Sequence, residues 1–240
     1  MKRRFTWWLI VGLLCILTLG YLTAQRNRAA TSNLELMTAA IAKKLDLPPR
    51  QDFRLVVISD LNSQYGSTEY EPEVTQAIAL IPQWQPDLVL CGGDMIAGQK
   101  ASLTKSQIES MWAAFDLKIA APLRKQGIPL GFTIGNHDGS GATKDQTLIF
   151  QAERNLAQAY WQQQQHYLNF VDRAHFPFYY SFQQNKIFFL VWDASSSQIS
   201  PQQLNWIEQT LKTSTAQQAS ARIVLGHLPL YPVAKEKNKP

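Results

Sequence analysis

Four apolar runs, each followed at once by small or polar residues, constrain this chain more than any other feature of its sequence. The runs are residues 55–58, 88–91, 130–134 and 223–225, and the segments after them are 59–62, 92–94, 135–138 and 226–227. Short runs of this kind favour buried strands. The carboxyl ends of parallel strands meet at one edge of an α/β sheet, where such folds build their sites. We therefore expect carboxylates, amides and imidazoles from separate strands to converge as metal ligands.

The segments between these apolar runs have the pattern of helices, so predicted strands and helices alternate along the chain. Apolar periodicity predicts helices at about 72–81 and 104–126, between strands at 87–91 and 129–134. A helix at 145–169 follows, then a hairpin of strands 178–183 and 186–192, and then a helix that begins at Ser200-Pro201. This is the β-α-β pattern of a mainly parallel sheet, so the predicted fold class is α/β.

The charge of the chain is concentrated at its N-terminus. The formal net charge is +5, from 23 basic and 18 acidic residues. All charged residues before position 35 are basic, namely Lys2, Arg3, Arg4, Arg26 and Arg28. Without these five, 18 basic residues balance 18 acidic ones, so the rest of the chain is neutral. A basic surface for nucleic acid is therefore not expected.

A long apolar segment lies between these basic residues. No charged residue occurs between Arg4 and Arg26, and residues 7–22 are almost wholly apolar. As a helix, the uncharged segment would reach about 31 Å, enough to cross a bilayer. The basic residues before it predict that this end stays in the cytoplasm while the rest is exported. We expect a membrane-anchored protein whose domain lies outside the cytoplasm.

Two other interpretations of this segment stay open. A signal peptide cleaved at Ala24 would also export the domain, although Leu22 is bulky where a small residue is preferred. A buried core helix is the third interpretation, and the basic flank argues against it. The predicted organisation is a signal anchor at 1–28, a stalk at 29–52 and a folded domain at 53–240.

The polar segments, taken in order, resemble the calcineurin-like metallophosphoesterase superfamily over about residues 53–232. The family pattern is Asp-x-His, Gly-Asp, Gly-Asn-His-Asp/Glu, a lone His, and then Gly-His-x-His. This chain has Asp60-Leu61-Asn62, Gly93-Asp94, Gly135-Asn136-His137-Asp138 and Gly226-His227, each after a predicted strand. The resemblance implies an αββα sandwich of two mixed β-sheets flanked by helices.

The resemblance also implies an activity, the hydrolysis of a phosphate mono- or diester with two divalent metal ions, which could be Mn, Fe or Zn. Asp94 would bridge the two ions, because each of its oxygens can bind one cation. Asp60 and Asn62 would complete the first metal site, and Asn136 and His227 the second. A hydroxide that bridges the ions would attack phosphorus.

Two further residues have catalytic roles by the same resemblance. His137 would face the phosphate and stabilise charge or protonate the leaving alkoxide, and Asp138 would fix the tautomer of His137. Substrate choice is expected in the loops at 64–73 and 139–145. The side chains that could touch substrate there and nearby are Tyr65, Tyr70, Lys100 and Lys144.

The chain departs from the family pattern in two places. Asn62 stands where the family has a histidine, and an amide oxygen is a weaker donor than imidazole for zinc or iron. We therefore expect a weakened first site, or one tuned to a harder ion such as Mn²⁺. The Gly-His-x-His motif does not occur in the 240 residues, so it is expected beyond Pro240, and the second sheet is expected to be incomplete. A genuinely short, non-catalytic binding module is the alternative.

Overall fold

The computed structural model describes Gln25 and residues 51–229. The chain divides into two units between Pro48 and Pro49, and all elements named below belong to the second. The predicted signal anchor, except for Gln25, and nearly all of the predicted stalk lie outside the described residues. In the part of the chain that is described, no helix combines the length and the hydropathy needed to span a bilayer.

The first sheet is built from the apolar runs that follow one another in the first half of the domain. Its three strands are parallel and lie in chain order: β1 (Leu55–Ile58), β2 (Leu88–Cys91) and β3 (Leu130–Phe132). Helical crossovers connect them: α1 (Pro72–Leu80) with a 3₁₀ turn at Ile81–Trp84, then α2 (Lys105–Phe115), a π-helical turn at Asp116–Ala120, and α3 (Ala121–Lys125). The helices predicted at 72–81 and 104–126 are therefore confirmed.

The second half of the domain forms a sheet of four strands. Between the sheets in sequence come a one-turn helix α4 (Asn136–Gly139), a small hairpin of β4 (Thr143–Lys144) and β5 (Thr147–Leu148), and α5 (Gln151–Gln163). The second sheet contains β6 (Asn169–His175), β7 (Tyr179–Gln184), β8 (Ile187–Val191) and β9 (Ala221–Leu225). Strands β6 to β8 are antiparallel, and β9 is parallel to β8 after a connection through α6 (Pro201–Leu211) and α7 (Ser214–Gln217).

The two sheets pack face to face over one apolar core. Side chains on β8 alternate between two clusters, with Phe189 and Val191 in the main core and Phe188 and Leu190 in a smaller cluster beneath α6. Between the sheets, the Tyr180 hydroxyl donates to the Phe132 carbonyl at 2.6 Å and accepts from the Phe132 N–H at 3.0 Å. Because β8 is buried on both faces, the second sheet lies between the first sheet and α6.

Two details of the elements differ from the expectations. The helix predicted at 145–169 is shorter, because residues 143–148 turn back at Asp145 and Gln146, which have φ of 50° and 63°. Strand β6 was not predicted, since only three of its seven residues are apolar and none of the seven is buried. The α/β fold with mixed sheets is confirmed: the second sheet is mixed, and the first is parallel among the described residues because helical crossovers connect its strands.

Candidate metal centre

Asp60 and Asp94 lie just beyond the ends of β1 and β2, where the backbone bends sharply. Both have a φ of 53°, in the left-handed region that non-glycine residues seldom adopt. The bends are paired, because the Asp60 N–H donates to the Gly93 carbonyl at 3.0 Å and the Leu61 N–H to the Asp94 carbonyl at 3.0 Å. Backbone strain of this kind costs about 1–3 kcal/mol per residue and clusters at functional sites.

The carboxylate of Asp94 is buried at the meeting point of three segments. Its Oδ1 atom accepts the backbone N–H of His137 at 2.9 Å. Gly93, with a φ of 98°, passes so close that a Cβ there would lie 2.8 Å from both the Gly135 nitrogen and His227 Nδ1. A Cβ on Gly135 would overlap the Asp94 carboxylate itself. The glycines of the sequence motifs therefore allow β2, β3 and β9 to bring their polar ends together.

His227 and Asn136 meet beside Asp94. The Nδ1 atom of His227 contacts the Gly92 carbonyl at 2.8 Å, and its Nε2 atom lies 2.9 Å from Asn136 Oδ1 and 3.4 Å from Asp94 Oδ1. The Asn136 amide nitrogen donates to Gln99 Oε1 at 2.7 Å, which turns its oxygen toward His227. An imidazole nitrogen, an amide oxygen and a carboxylate oxygen therefore point into one space.

Asp60 completes this cluster. Asp60, Asp94 and His227 each offer one ligand atom, and these atoms all lie within 4.8 Å of one another. Carboxylate, imidazole and amide donors together suit divalent ions such as Mn²⁺ or Zn²⁺. The residues present therefore fit a metal centre, and they include four of the five predicted ligands.

The charges at the centre support one another. Burial of Asp94 favours its neutral form, but the hydrogen bond with His227 and the N–H of His137 outweigh it and hold the Asp94 pKa below its usual range. Burial of His227 favours its neutral form as well, but the hydrogen bond with Asp94 and the Asp94 charge raise its pKa to about 9. In the protein alone, an imidazolium therefore stands where a cation would bind.

Asn62 is held differently from the other predicted ligands. Its side-chain nitrogen donates to the Ile96 carbonyl at 3.2 Å, and its backbone N–H donates to the Asp94 carbonyl at 3.1 Å. In the described part of the chain, its side chain makes no hydrogen bond with Asp60 or with the Asp94 carboxylate. Its role as a metal ligand stays a prediction.

The predicted partnership of His137 and Asp138 is not what the structure shows. His137 Nδ1 contacts the Gly98 carbonyl at 3.1 Å, while Asp138 points inward and is fully buried. The Asp138 oxygens accept the backbone N–H groups of Met95 at 2.8 Å, Ile96 at 3.0 Å and Gly135 at 2.8 Å. Burial and the nearby charge of Asp94 raise the Asp138 pKa to about 7. Gly98 therefore fixes the His137 tautomer, and Asp138 binds the two motif loops together.

Of the side chains suggested to meet substrate, Tyr65 and Tyr70 have different environments. The ring of Tyr65 is 54% exposed and lies 5.1 Å from the His137 ring between centroids, so it borders the site. The Tyr70 hydroxyl donates to the Met95 carbonyl at 2.8 Å and its ring packs on the main core, which gives it a structural role. Lys100 and Lys144 are exposed.

Sequence reasoning missed two residues that support the centre, Gln99 and Glu153. Gln99, with a φ of 64°, accepts from the Asn136 amide, and its own N–H donates to Glu153 Oε2 at 2.9 Å. Glu153 lies on α5 and is only 5% exposed, and burial raises its pKa. Neither residue belongs to a motif, and 54 positions separate them, so the sequence carries no signal for the pair.

Comparison with known proteins agrees with this geometry. A family model described as calcineurin-like phosphoesterase matches residues 53–239, a span that contains every predicted site residue. No curated protein was found to match the chain.

Proposed function

The chain belongs to the calcineurin-like phosphoesterase family, and from this premise we propose that it hydrolyses phosphate mono- or diesters with two divalent metal ions. The observation that supports this most is the convergence of Asp60, Asp94 and His227 within 4.8 Å. The Asn136 oxygen adds a fourth donor 2.9 Å from His227 Nε2. Metal-dependent hydrolysis is what such a family and such a donor set have in common.

Within this proposal, each ligand has a distinct task. Asp94 would be shared by the ions, because one carboxylate oxygen can bind each of them. Asp60, together with Asn62, would hold one ion, and Asn136 and His227 would hold the other. When bound, the ions would supply the positive charge and the acidified water that phosphate-ester hydrolysis requires.

His137 is the group that would act on the substrate itself. Its Nδ1 atom is held by the Gly98 carbonyl, and its Nε2 atom lies 3.9 Å from Asp94 Oδ2. This orientation directs Nε2 toward the space above the cluster. Protonated there, His137 would neutralise a phosphate oxygen or donate the proton that the leaving alkoxide needs.

The test is hydrolysis of an aryl phosphate and an aryl phosphodiester with added Mn²⁺, with and without a chelator. We expect Mn²⁺-dependent turnover that falls about 100-fold or more in Asp94→Asn, because the shared ligand is lost. Asp52→Asn is the matched control, since Asp52 is also an aspartate but is exposed and precedes β1, whereas the candidate site lies beyond the other end of that strand. Equal turnover in the two variants would contradict the proposal.

The second candidate is a module that binds a phosphorylated ligand without cleaving it. Asn62 favours it, because an amide oxygen at this position is a weaker metal donor than the imidazole of the family pattern. Binding of Mn²⁺ and of an aryl phosphate without release of the aryl alcohol would support this candidate.

For location, we propose that residues 1–28 anchor the protein and place the domain outside the cytoplasm. The support is the uncharged segment between Arg4 and Arg26 with its basic N-terminal flank. Protease added to intact cells should remove the domain, and a domain protected until the cells are lysed would contradict this placement.

A further inference from the structure

A cleft of about 420 Å³ opens beside the candidate metal centre, and although most of its lining residues are polar, carbon atoms form the larger share of its exposed surface. It shares Asn136 and Gln99 with the centre, and its other walls come from the segment after α4, the loop after β8 and Leu228 after β9. Its volume is within the range of sites that bind small molecules, about 300–1,000 Å³. A larger cleft, of about 470 Å³ between α2 and α5, contains none of the predicted metal ligands.

Hydrogen bonds hold the inner wall of the cleft beside the candidate metal centre, and this wall carries no net charge. Ser195 Oγ donates to Asp193 Oδ1 at 2.5 Å and accepts the Gly141 N–H at 2.9 Å, and Ser140 Oγ donates to the Ser195 carbonyl at 3.3 Å. Behind the serines, Arg154 pairs with Asp193 at 2.6 Å. The charges nearest this wall therefore neutralise each other.

The rim of the cleft offers hydrogen-bonding groups that nothing in the described chain uses. Thr143, Ser197 and Gln198 are exposed, line the cleft, and have side chains without a hydrogen-bond partner among the described residues. Gln99 also faces the cleft, and only its oxygen is engaged, by Asn136. No acidic or basic side chain lines the cleft in the described part of the chain.

We propose that this cleft binds the alcohol portion of the phosphate ester, and that this portion is neutral and polyhydroxylated, such as a polyol or a sugar. This inference rests on the proposed function, because the proposed function places the phosphate group over Asp94 and His137. Asn136 then lies at the junction, with the metal centre on one side and the cleft on the other.

The walls that the structure describes favour this class of alcohol over charged and purely alkyl ones. A charged group would lose water in the cleft without meeting an opposite charge, which is costly. An alkyl group would strip water from hydroxyls and amides and give them no partner in return. A polyol replaces those hydrogen bonds one for one, so the cleft favours it over both.

The test compares sorbitol 6-phosphate with hexyl phosphate. Both are monoesters of primary six-carbon alcohols, so the intrinsic reactivity of the ester bond is similar and the hydroxyls make the difference. With Mn²⁺ present, we expect kcat/KM for sorbitol 6-phosphate to exceed that for hexyl phosphate at least tenfold. An equal or higher value for hexyl phosphate would overturn the inference.

Variants at the rim locate the effect. We expect Thr143→Val and Gln198→Leu each to lower kcat/KM for sorbitol 6-phosphate about fivefold, as the loss of one hydrogen bond implies, and to lower it not at all for hexyl phosphate. Thr147→Val and Gln218→Leu are matched controls, because both residues are exposed and neither lines the cleft. If the rim variants and the control variants had the same kcat/KM for sorbitol 6-phosphate, the assignment of this cleft would be overturned.

Calorimetric titration separates failure of this inference from failure of the proposed function. Both phosphates are titrated into the Mn²⁺-loaded His137→Ala protein, where binding is measured without turnover. If no phosphate ester is hydrolysed, not even the aryl esters, the proposed function fails, and tighter binding of sorbitol 6-phosphate still supports the cleft. If turnover occurs and the two phosphates bind equally, the inference alone fails.

Discussion

The carboxylate of Asp94 is the residue on which the whole site depends. Its backbone is in the left-handed region, its Oδ1 accepts the His137 N–H, and His227 Nε2 lies 3.4 Å away. The Asp60 backbone bends in the same way, so that its ligand atom joins the same cluster. Asp tolerates this conformation better than most residues do, which explains why acidic residues can occupy both bends.

At this scale, His227 provides a prediction about pH. Its pKa is raised to about 9 in the folded protein, against about 6.5 for an unfolded chain. The folded state therefore binds this proton more tightly, and the stabilisation is complete below about pH 6.5 and lost as the pH rises through about 9. With a chelator present to remove metal ions, the thermal unfolding midpoint of the wild type should fall between about pH 6.5 and pH 9. The midpoint of His227→Asn should fall less over the same range.

The exposed His175 gives the control for this measurement, because His175→Asn removes an imidazole far from the cluster in the fold. The thermal midpoint of that variant should fall with pH as steeply as the midpoint of the wild type does. If the thermal midpoint of His227→Asn changed with pH as steeply as that of the wild type, the ion pair with Asp94 would be contradicted. Because a metal ion must displace the same proton, Mn²⁺ binding should also strengthen as the pH approaches about 9.

Asn62 provides a second prediction for single residues. In Asn62→His, one ring nitrogen could keep the hydrogen bond to the Ile96 carbonyl while the other offers a stronger donor to the metal. We expect Zn²⁺ affinity, measured by competition with a chromophoric chelator, to rise about tenfold. Asn205→His, on the exposed face of α6, should leave the affinity as it is. An unchanged affinity and turnover in Asn62→His would rule out a tuned first site.

Among the elements, the loop after β2 is the one that holds the site together. Its Gly98 carbonyl fixes His137, and its Gln99 side chain fixes the Asn136 amide. The loop itself is anchored on α5, where Glu153 accepts the Gln99 N–H at 2.9 Å. The orientation of Asn136, a predicted metal ligand, therefore depends on a helix that contributes no predicted ligand.

Removing this anchor should weaken metal binding. We expect Glu153→Ala to lower Mn²⁺ affinity about tenfold, as loss of a supporting hydrogen bond does in metal sites. Glu153→Gln keeps one acceptor oxygen and should lose less. Glu109→Ala, an exposed change on α2, serves as the control. Calorimetric titration with Mn²⁺ measures these affinities. If Glu153→Ala bound Mn²⁺ as tightly as Glu109→Ala does, the hydrogen bond from Gln99 to Glu153 would not support the metal site.

The comparison of elements shows what the sequence could predict. Strands β1, β2, β3, β8 and β9 were predicted because they are apolar runs. The structure buries most of β2, β3 and β8, whereas the residues of β1 and β9 are half-buried or exposed. The convergence of Asp60, Asp94, Asn136 and His227 was predicted because strand ends meet at a rim. The inward direction of Asp138 depends on one turn of helix, and the link from Glu153 to Gln99 depends on how α5 packs. Neither leaves a local pattern in the sequence.

At the scale of the domain, the metal centre lies where the two sheets meet. Asp60, Asp94 and Asn136 come from the ends of the first sheet, whereas His227 follows β9 of the second. The distance between Asp94 and His227 is therefore set by the packing of one sheet on the other. Tyr180 and Phe132 join the sheets directly, and Thr133 Oγ1 adds a hydrogen bond to the Trp192 carbonyl at 3.1 Å.

This packing yields a stability prediction. Tyr180→Phe leaves the buried N–H and carbonyl of Phe132 without the hydroxyl, so we expect the free energy of unfolding to fall by about 2 kcal/mol. Tyr167→Phe is the matched control, because Tyr167 is 39% exposed. Urea denaturation measures the free energy of unfolding of both variants. If the two variants lost the same free energy, the Tyr180 hydroxyl would not contribute to the packing of the sheets.

Anomalous scattering from crystals soaked in Mn²⁺ tests the shared metal centre most directly. Two peaks are expected, one on either side of the Asp94 carboxylate, with Asp60 beside one and with Asn136 and His227 beside the other. The peaks should be absent in Asp94→Asn crystals and present in Asp52→Asn crystals. Ordered wild-type crystals with Mn²⁺ elsewhere, or with none at Asp94, would contradict a phosphoesterase centre built on these strand ends.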